Sequence, residues 1–314
     1  MCDVLKVEYK GFTAFQLENS QIGVKIVPAL GGKIVSLYSK NSKMPGREYL
    51  YQKAGDVCVV PYGGDYLKSE MCGVDDMFPT ISEEYYMDYP FKGTHLPDHG
   101  EVWALPWHHS IQNGSLELGV YGVRLPYLLS KTISLSENRM HCAYQLRNLS
   151  AFDIEYIWCA HIMLRSQRGS RFDIFSNDTK AVTTYSESGK LGGYGNKFDY
   201  PFIKFHGGDI YDASVLRGKE ANDFQKFYFE EPLKEGRVAL VHEDGSGIRV
   251  EFDPAKTPWL ALINAEGGSF GVHCSYIEPC SAPFDSIQAA KLRGRQGVIK
   301  PQSTLEWFLD FIIF

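Results

Sequence analysis

The chain has 314 residues, of which 44% are hydrophobic and 22% charged, with a formal net charge of −6 and a pI near 5.9. This composition is typical of an ordinary globular protein and does not favour nucleic acid or an anionic membrane as a partner. No stretch is apolar for long enough to predict a transmembrane helix.

The first 15 residues contain no basic region followed by an apolar run, so we expect a cytoplasmic protein. The cysteines are odd in number, scattered, and form no C-x-x-C pair; they are Cys2, Cys58, Cys72, Cys142, Cys159, Cys274 and Cys280. This pattern argues against a disulfide framework and a thiolate zinc site, and it favours reduced, mostly buried thiols.

Alternating apolar residues predict strands along most of the chain. Residues 22–38 predict two strands around a turn in "PALGG", and residues 131–146 predict a hairpin that turns at 136–139. A second hairpin is expected over 237–252, and "STLEWFLDFIIF" at the carboxyl end predicts a closing strand.

Helical signals are scarce, and residues 284–294 predict one short helix that ends at Gly294. Many short strands rich in glycine and aromatic residues favour an all-β protein built as one large antiparallel sandwich. No linker or repeat divides the chain, so we expect a single domain over residues 1–314. Residues 61–100 and 185–224 resist strand assignment and are expected to be functional loops.

The segment "HLPDHGEVWALPWHH" contains four of the nine histidines. His95 and His99 have the four-residue spacing of a helical zinc site, but Pro97 lies between them. His108 and His109 are adjacent and would point to opposite faces of a strand. We therefore expect no metal site here.

The sequence "GGSFG" at residues 267–271 matches the G-x-S-x-G pattern of a nucleophilic serine. The residues that follow have no helical period, so the strand–turn–helix context that exposes such a serine is missing. The pattern instead predicts a glycine-rich hairpin turn. No phosphate-binding or dinucleotide-binding loop is found.

Three segments place a titratable group in an apolar context: "LPDHGEVW" with His99, "YIWCAHIML" with His161, and "CSYIEPCSAP" with Glu278. Burial would lower the pKa of His161, although a lone buried histidine is more often an ordinary core residue. Burying Glu278 without a partner would cost several kcal/mol, which favours a partner or a cleft; the alternative is a surface glutamate at a strand end.

In this order, the three motifs together with "ENSQIGVKIVPALGGKIVSL" and "IKPQSTLEWFLDF" resemble the aldose 1-epimerase (galactose mutarotase) family. The resemblance implies a β-supersandwich whose cleft binds a free sugar without a metal or organic cofactor. It also implies that Glu278 is the general base, His161 the general acid and His99 a sugar ligand. Trp103 and Trp158 are candidate platforms for the sugar ring, although each tryptophan is more often part of a core.

The sequence departs from the family where an asparagine–arginine motif is expected shortly before the first histidine. The chain reads "CGVDDMFPTI" there, so the acceptors Asp75 and Asp76 stand where a hydrogen-bond donor is expected. Galactose or glucose therefore cannot be assumed as the substrate. Our hypothesis is that Asp76 acts as a substitute sugar ligand.

The sequence thus predicts an isomerase that interconverts the α and β anomers of an aldose, acting as a monomer or homodimer. Two alternatives stay open: a carbohydrate-binding or sensing protein without turnover, and a glycan lyase or hydrolase on the same scaffold. An acid and a base together favour the enzyme, and a single clear carboxylate argues against a glycosidase, which usually employs a pair.

Overall fold

The computed structural model describes residues 3–41, 44–175, 180–205 and 207–314, and this part of the chain is built almost entirely of β-strands. The first strands are β1 (Asp3–Tyr9), β2 (Phe12–Glu18), β3 (Ile22–Val27), β4 (Lys33–Ser39), β5 (Val74–Met77), β6 (Glu84–Tyr85), β7 (His95–Leu96), β8 (His108–Gln112), β9 (Ser115–Tyr121), β10 (Tyr127–Ser136), β11 (Arg139–Asn148) and β12 (Ile154–Tyr156). The remaining strands are β13 (Cys159–Leu164), β14 (Arg171–Ile174), β15 (Lys180–Ser186), β16 (Lys197–Asp199), β17 (Phe202–Lys204), β18 (Ile210–Asp212), β19 (Asp223–Phe229), β20 (Arg237–Val241), β21 (Gly247–Phe252), β22 (Trp259–Glu266), β23 (His273–Cys280), β24 (Gly297–Ile299) and β25 (Thr304–Ile313).

Helical structure in the described residues is confined to short segments. The α-helix α1 spans Ile287–Lys291, and Ser286 caps its amino end by accepting a hydrogen bond from the backbone of Ala289. Three 3-10 helices span Tyr66–Lys68, Val102–Ala104 and Lys219–Ala221. The short helix predicted over residues 284–294 is confirmed.

Two large antiparallel sheets make up the fold. Among the described residues, the first sheet has the order β1-β2-β3-β4-β5-β13-β23-β22-β19-β15-β16, and the second has the order β14-β20-β21-β25-β11-β10-β9-β8. One hydrophobic cluster contains buried side chains from both sheets, such as Val24 and Leu262 from the first and Leu129 and Phe311 from the second. The all-β sandwich predicted from the alternation is therefore confirmed.

The predicted hairpins are also confirmed. β10 pairs with β11 around Ser136 and Arg139, and β20 pairs with β21 as expected for residues 237–252. β22 and β23 flank the "GGSFG" turn, as predicted for a glycine-rich hairpin. The expectation of long unstructured loops was wrong in part, since residues 61–100 contain β5, which lies in the middle of the first sheet.

The cysteines of the described residues are free thiols. Cys58 is exposed, and the other five are buried. Cys2 lies outside the described residues. Within the same part of the chain, no helix is long and apolar enough to cross a membrane.

Candidate active site

The register of three adjacent strands brings Asp75, His161 and Glu278 into one row. β13 pairs with β5 so that His161 lies opposite Asp75. On its other side β13 pairs with β23, with Cys159 opposite Cys280, which places His161 beside Glu278. Because side chains alternate between the faces of a strand, all three project from the same face of the sheet.

Glu278 is completely buried, yet its carboxylate is poorly satisfied. Lys226 forms an ion pair with Oε2 at 3.0 Å, and neither carboxylate oxygen accepts a well-directed hydrogen bond from the described residues. Burial raises the pKa of Glu278, and the positive charge of Lys226 opposes that shift. Because the buried carboxylate lacks well-directed hydrogen bonds, it can accept one from a ligand, and that bond would offset part of the cost of its burial.

His161 lies against Glu278, with 3.5 Å between its Nε2 and Oε1 of the carboxylate. Its Nδ1 is 3.0 Å from the hydroxyl of Tyr66, which donates its hydrogen bond to Asp75 Oδ2 at 2.9 Å. Since Tyr66 has one hydroxyl proton, its oxygen accepts the hydrogen on Nδ1. The Nε2 of a neutral ring therefore presents a lone pair toward Glu278.

Burial lowers the pKa of His161 well below its usual value, and the nearby positive charge of Lys226 acts in the same direction. For Glu278, burial moves the pKa upward. Both shifts disfavour a state in which the two groups are charged. When one proton is shared between Nε2 and Oε1, the pair offers one proton donor and one proton acceptor side by side, as acid–base catalysis requires.

His99 completes the group of three residues that the sequence selected. Its ring stacks on Tyr66 with 3.9 Å between ring centroids, and it lies 5.9 Å from the ring of His161. Oδ2 of Asp98 lies 2.7 Å from Nδ1 of His99 and hydrogen-bonds to it. His99 itself adopts a left-handed backbone conformation with φ of 61° in the tight turn that ends at Gly100.

These groups line one cavity of about 170 Å³. Its polar lining includes His99, His161, Lys226 and Glu278. Its apolar and aromatic lining consists of Tyr66, Leu67, Met71, Met77, Tyr185, Phe224, Ile263, Phe270 and Tyr276. A concave apolar chamber with a few convergent polar groups is the usual form of a small-molecule site.

Lys226 is a residue of this site that sequence reasoning missed, as is Tyr66. Lys226 lies on β19, and its ammonium contacts Oε2 of Glu278 at 3.0 Å and Oδ1 of Asp285 at 2.8 Å. Both carboxylates raise the pKa of Lys226 and more than offset its burial, so the ammonium stays charged. The segment "FQKFYF" gave no signal for this role, because a single lysine in a strand normally faces solvent.

The structure corrects the hypothesis that Asp76 binds sugar. Asp76 lies opposite Ala160 on β13 and points away from the row of Asp75, His161 and Glu278, into the space between the sheets. There it is 0% exposed, forms an ion pair with Lys131 at 2.7 Å, and accepts a hydrogen bond from Trp158. Its charge is satisfied within the core, and it has no access to a ligand.

The expectation for Trp158 is corrected for the same reason, since its ring is 0% exposed and packs against Tyr144 and Trp307 in the core. Trp103 is 5% exposed and contacts the edge of Tyr66 at 5.0 Å between centroids. It therefore supports a wall of the cavity from behind and does not line it.

The other histidines of the segment 95–109 lie away from the cavity. His95 contacts Glu83 at 2.6 Å, and His108 and His109 are exposed on β8. Among the described residues, no group of three or more histidine, cysteine, aspartate or glutamate side chains is arranged to hold a metal ion.

Comparison with solved structures relates this architecture to known proteins. The structure of Slr1438 from Synechocystis sp. PCC 6803 has a TM-score of 0.71 and 16% identity, with 98% of this chain and 99% of that chain covered. A galactose mutarotase related enzyme from Lactobacillus acidophilus has a TM-score of 0.64 and 12% identity, covering 96% and 97% of the two chains. A galactose mutarotase-like protein from Clostridium acetobutylicum has a TM-score of 0.65 and 10% identity, covering 100% and 98%.

No protein-family model matches the sequence, and no curated protein sequence is similar to it. The structural likeness extends over nearly the whole chain, and it confirms the galactose mutarotase-like β-sandwich predicted from the sequence motifs. At identities of 10–16% this likeness establishes the fold.

Proposed function

We propose that this protein is an aldose 1-epimerase-like isomerase that interconverts the α and β anomers of an unphosphorylated sugar. The observation that carries the proposal is the pairing of Glu278 and His161. Their reactive atoms are 3.5 Å apart in a buried cavity, and Oε1 of the carboxylate accepts no hydrogen bond from the described residues.

The chemistry needs one base and one acid next to each other. Ring opening removes a proton from the C1 hydroxyl and delivers a proton to the ring oxygen, and these two oxygens are bonded to the same carbon. The step begins with the shared proton on Nε2 of His161. Glu278 accepts the hydroxyl proton while Nε2 passes the shared proton to the ring oxygen, which leaves a neutral imidazole and a protonated carboxyl group. Rotation about the C1–C2 bond and the reverse transfers then close the other anomer.

The surrounding residues support this assignment of roles. The ammonium of Lys226 favours the charged, proton-accepting form of Glu278, and it thereby favours the shared proton on Nε2 of His161. Tyr66 fixes the ring of His161 by accepting the hydrogen on Nδ1. His99 lines the same cavity and is placed to hydrogen-bond a sugar hydroxyl.

A neutral sugar fits the charge of the cavity better than a sugar phosphate. Lys226 is held by Glu278 and Asp285 and so offers a phosphate no unpaired ammonium. No arginine is among the described residues that line the cavity. Strong phosphate sites usually employ arginine or unpaired lysine side chains.

The test is anomer exchange by magnetisation-transfer NMR with glucose, galactose, xylose, fucose, rhamnose and mannose. We expect faster exchange with at least one sugar, and a loss of about 10²-fold or more in Glu278→Gln. Glu101→Gln is the matched control, because Glu101 is equally buried but is hydrogen-bonded by Tyr127 away from the cavity. This control is expected to keep its activity.

Two results would contradict the proposal. Broadened sugar resonances without faster exchange would indicate a carbohydrate-binding or sensing protein. Activity in Glu278→Gln equal to wild type would remove the assigned base.

A further inference from the structure

Three aromatic residues form the mouth of the cavity, and we call them the aromatic rim: Tyr185 on β15, Phe224 on β19 and Phe270 in the turn between β22 and β23. Phe224 contacts Phe270 with 4.7 Å between ring centroids and Tyr185 with 5.8 Å. Tyr185 is 42% exposed and Phe270 is 41% exposed. All three also line the cavity that contains Glu278.

The rim is held in place before any ligand binds. Glu187, two residues after Tyr185, accepts hydrogen bonds from the backbone of Ser269 at 3.0 Å and from its hydroxyl at 2.6 Å. The backbone of Glu187 also donates to the carbonyl of Phe224 at 3.0 Å. These bonds fasten together the three segments that carry the rim.

The glycine-rich turn is shaped for this attachment. A Cβ at Gly268 would lie 2.0 Å from the Oε2 of Glu187, so a larger residue would push the carboxylate away. Gly267 and Gly271 have φ values of 86° and 63°, which glycine adopts readily. The "GGSFG" sequence therefore serves to present the Phe270 ring beside Phe224.

The proposed catalytic pair is separated from the rim along the strands, because Glu278 lies opposite Ala261 of β22 whereas Phe224 lies opposite Ala265, four residues farther along. We call the buried part of the cavity around Glu278 and His161 its closed end. Glu278 is 0% exposed and His161 is 5% exposed, whereas the rim is open to solvent. A cavity of about 170 Å³ has room for a single small ring. A sugar whose C1 reaches Glu278 therefore fills the closed end, and anything attached to that sugar extends toward the rim.

On the basis of the proposed isomerase activity, we propose that the preferred substrates are reducing disaccharides or longer oligosaccharides. The reducing sugar occupies the closed end, and the next sugar stacks on the aromatic rim. A sugar ring has an apolar C–H face that can cover an aromatic ring, and hydroxyl edges that stay in water. A fixed, half-exposed aromatic surface matches such a group and would be costly to expose without a role.

The experiment compares reducing-end anomer exchange of maltose, cellobiose and lactose with that of glucose, which is the reducing sugar of all three. We expect kcat/KM for at least one disaccharide to exceed that for glucose by about 10-fold, equivalent to about 1.4 kcal/mol. Phe270→Ala and Tyr185→Ala should lower this ratio by about 5-fold or more, chiefly through KM of the disaccharide.

Phe270→Leu and Phe202→Ala are the control variants. Phe270→Leu keeps an apolar side chain but removes the ring, so it should resemble Phe270→Ala if stacking is the cause. Phe202 is 55% exposed on β17 and does not line the cavity, so its replacement should leave the ratio unchanged.

A disaccharide that exchanges no faster than glucose, or rim variants that slow both substrates equally, would overturn the inference while leaving the isomerase in place. Absence of accelerated exchange with every sugar would instead reject the proposed function.

Discussion

The ammonium of Lys226 lies between two carboxylates, 3.0 Å from Oε2 of Glu278 and 2.8 Å from Oδ1 of Asp285. The positive charge of Lys226 lowers the pKa of Glu278, and the negative charge of Asp285 raises it. Tyr228 donates a further hydrogen bond to Asp285 and fixes that carboxylate. Removing the charge of Lys226 or that of Asp285 is therefore expected to shift the pKa of the proposed base in opposite directions.

Replacing Lys226 by methionine should move the acidic limb of the pH–rate profile to higher pH. The carboxylate of Glu278 loses its stabilising charge, so its pKa rises and less of it is ionised at neutral pH. Asp285→Asn should move the same limb to lower pH, because it removes a like charge. The measurement is kcat/KM for anomer exchange between pH 4 and 9. Shifts of the same sign in both variants would contradict this assignment.

Replacing Tyr66 by phenylalanine should lower kcat by about 10- to 100-fold with little change in KM, because the ring of His161 loses the group that orients it. Stability should fall by about 1–3 kcal/mol, since Asp75 loses a buried donor. Urea unfolding and anomer-exchange kinetics measure the two effects.

Tyr49→Phe is the matched control for this substitution. The Tyr49 hydroxyl is buried without a hydrogen-bond partner in the structure, and Tyr49 does not line the cavity. Its removal should leave activity unchanged and stability equal or higher. A kcat of Tyr66→Phe equal to wild type would show that the hydroxyl does not position His161.

The sequence predicted the strands whose pattern is simple. β10, β11 and residues 304–309 of β25 alternate between buried and more exposed residues, and the hydrophobic effect alone is enough to place such segments on a sandwich. β5 escaped prediction because "VDDM" carries two carboxylates in a fully buried strand. Their burial is made possible by Lys33 and Lys131, which are distant along the chain, so no local pattern reveals it.

The residues of the candidate site were likewise predicted only in part. Glu278, His161 and His99 were selected from motifs, and the structure brings them to one cavity. Asp76 was misassigned because adjacent residues of a strand face opposite sides, and sequence alone did not show which aspartate faces the cleft. Asp75 is the one that lies in the row with His161 and Glu278, where it accepts hydrogen bonds from Lys33 and Tyr66.

Replacing Asp76 by alanine should reduce stability by about 3–5 kcal/mol without changing KM. The Lys131 ammonium would be left as an unpaired charge in the core. The double variant Asp76→Leu/Lys131→Met should recover much of the loss, since apolar pairs often replace buried ion pairs without cost. Chemical unfolding measures the stabilities. A KM increase in folded Asp76→Ala would restore the rejected role of Asp76 as a sugar ligand.

The buried His161 should make the protein less stable as the pH falls from about 7 to 5. Its folded-state pKa is depressed well below the usual 6.5, so the unfolded chain takes up a proton in this range that the native state does not. Each such proton lowers the unfolding free energy by up to about 1.4 kcal/mol per pH unit. His242, whose pKa burial also lowers, contributes in the same direction.

Replacing His161 by glutamine should therefore make the dependence of stability on pH shallower, and His242→Gln should do so independently. Urea unfolding at pH 5, 6 and 7 measures these slopes. A slope in His161→Gln as steep as in wild type would show that His161 is protonated in the native state, as it is in the unfolded chain.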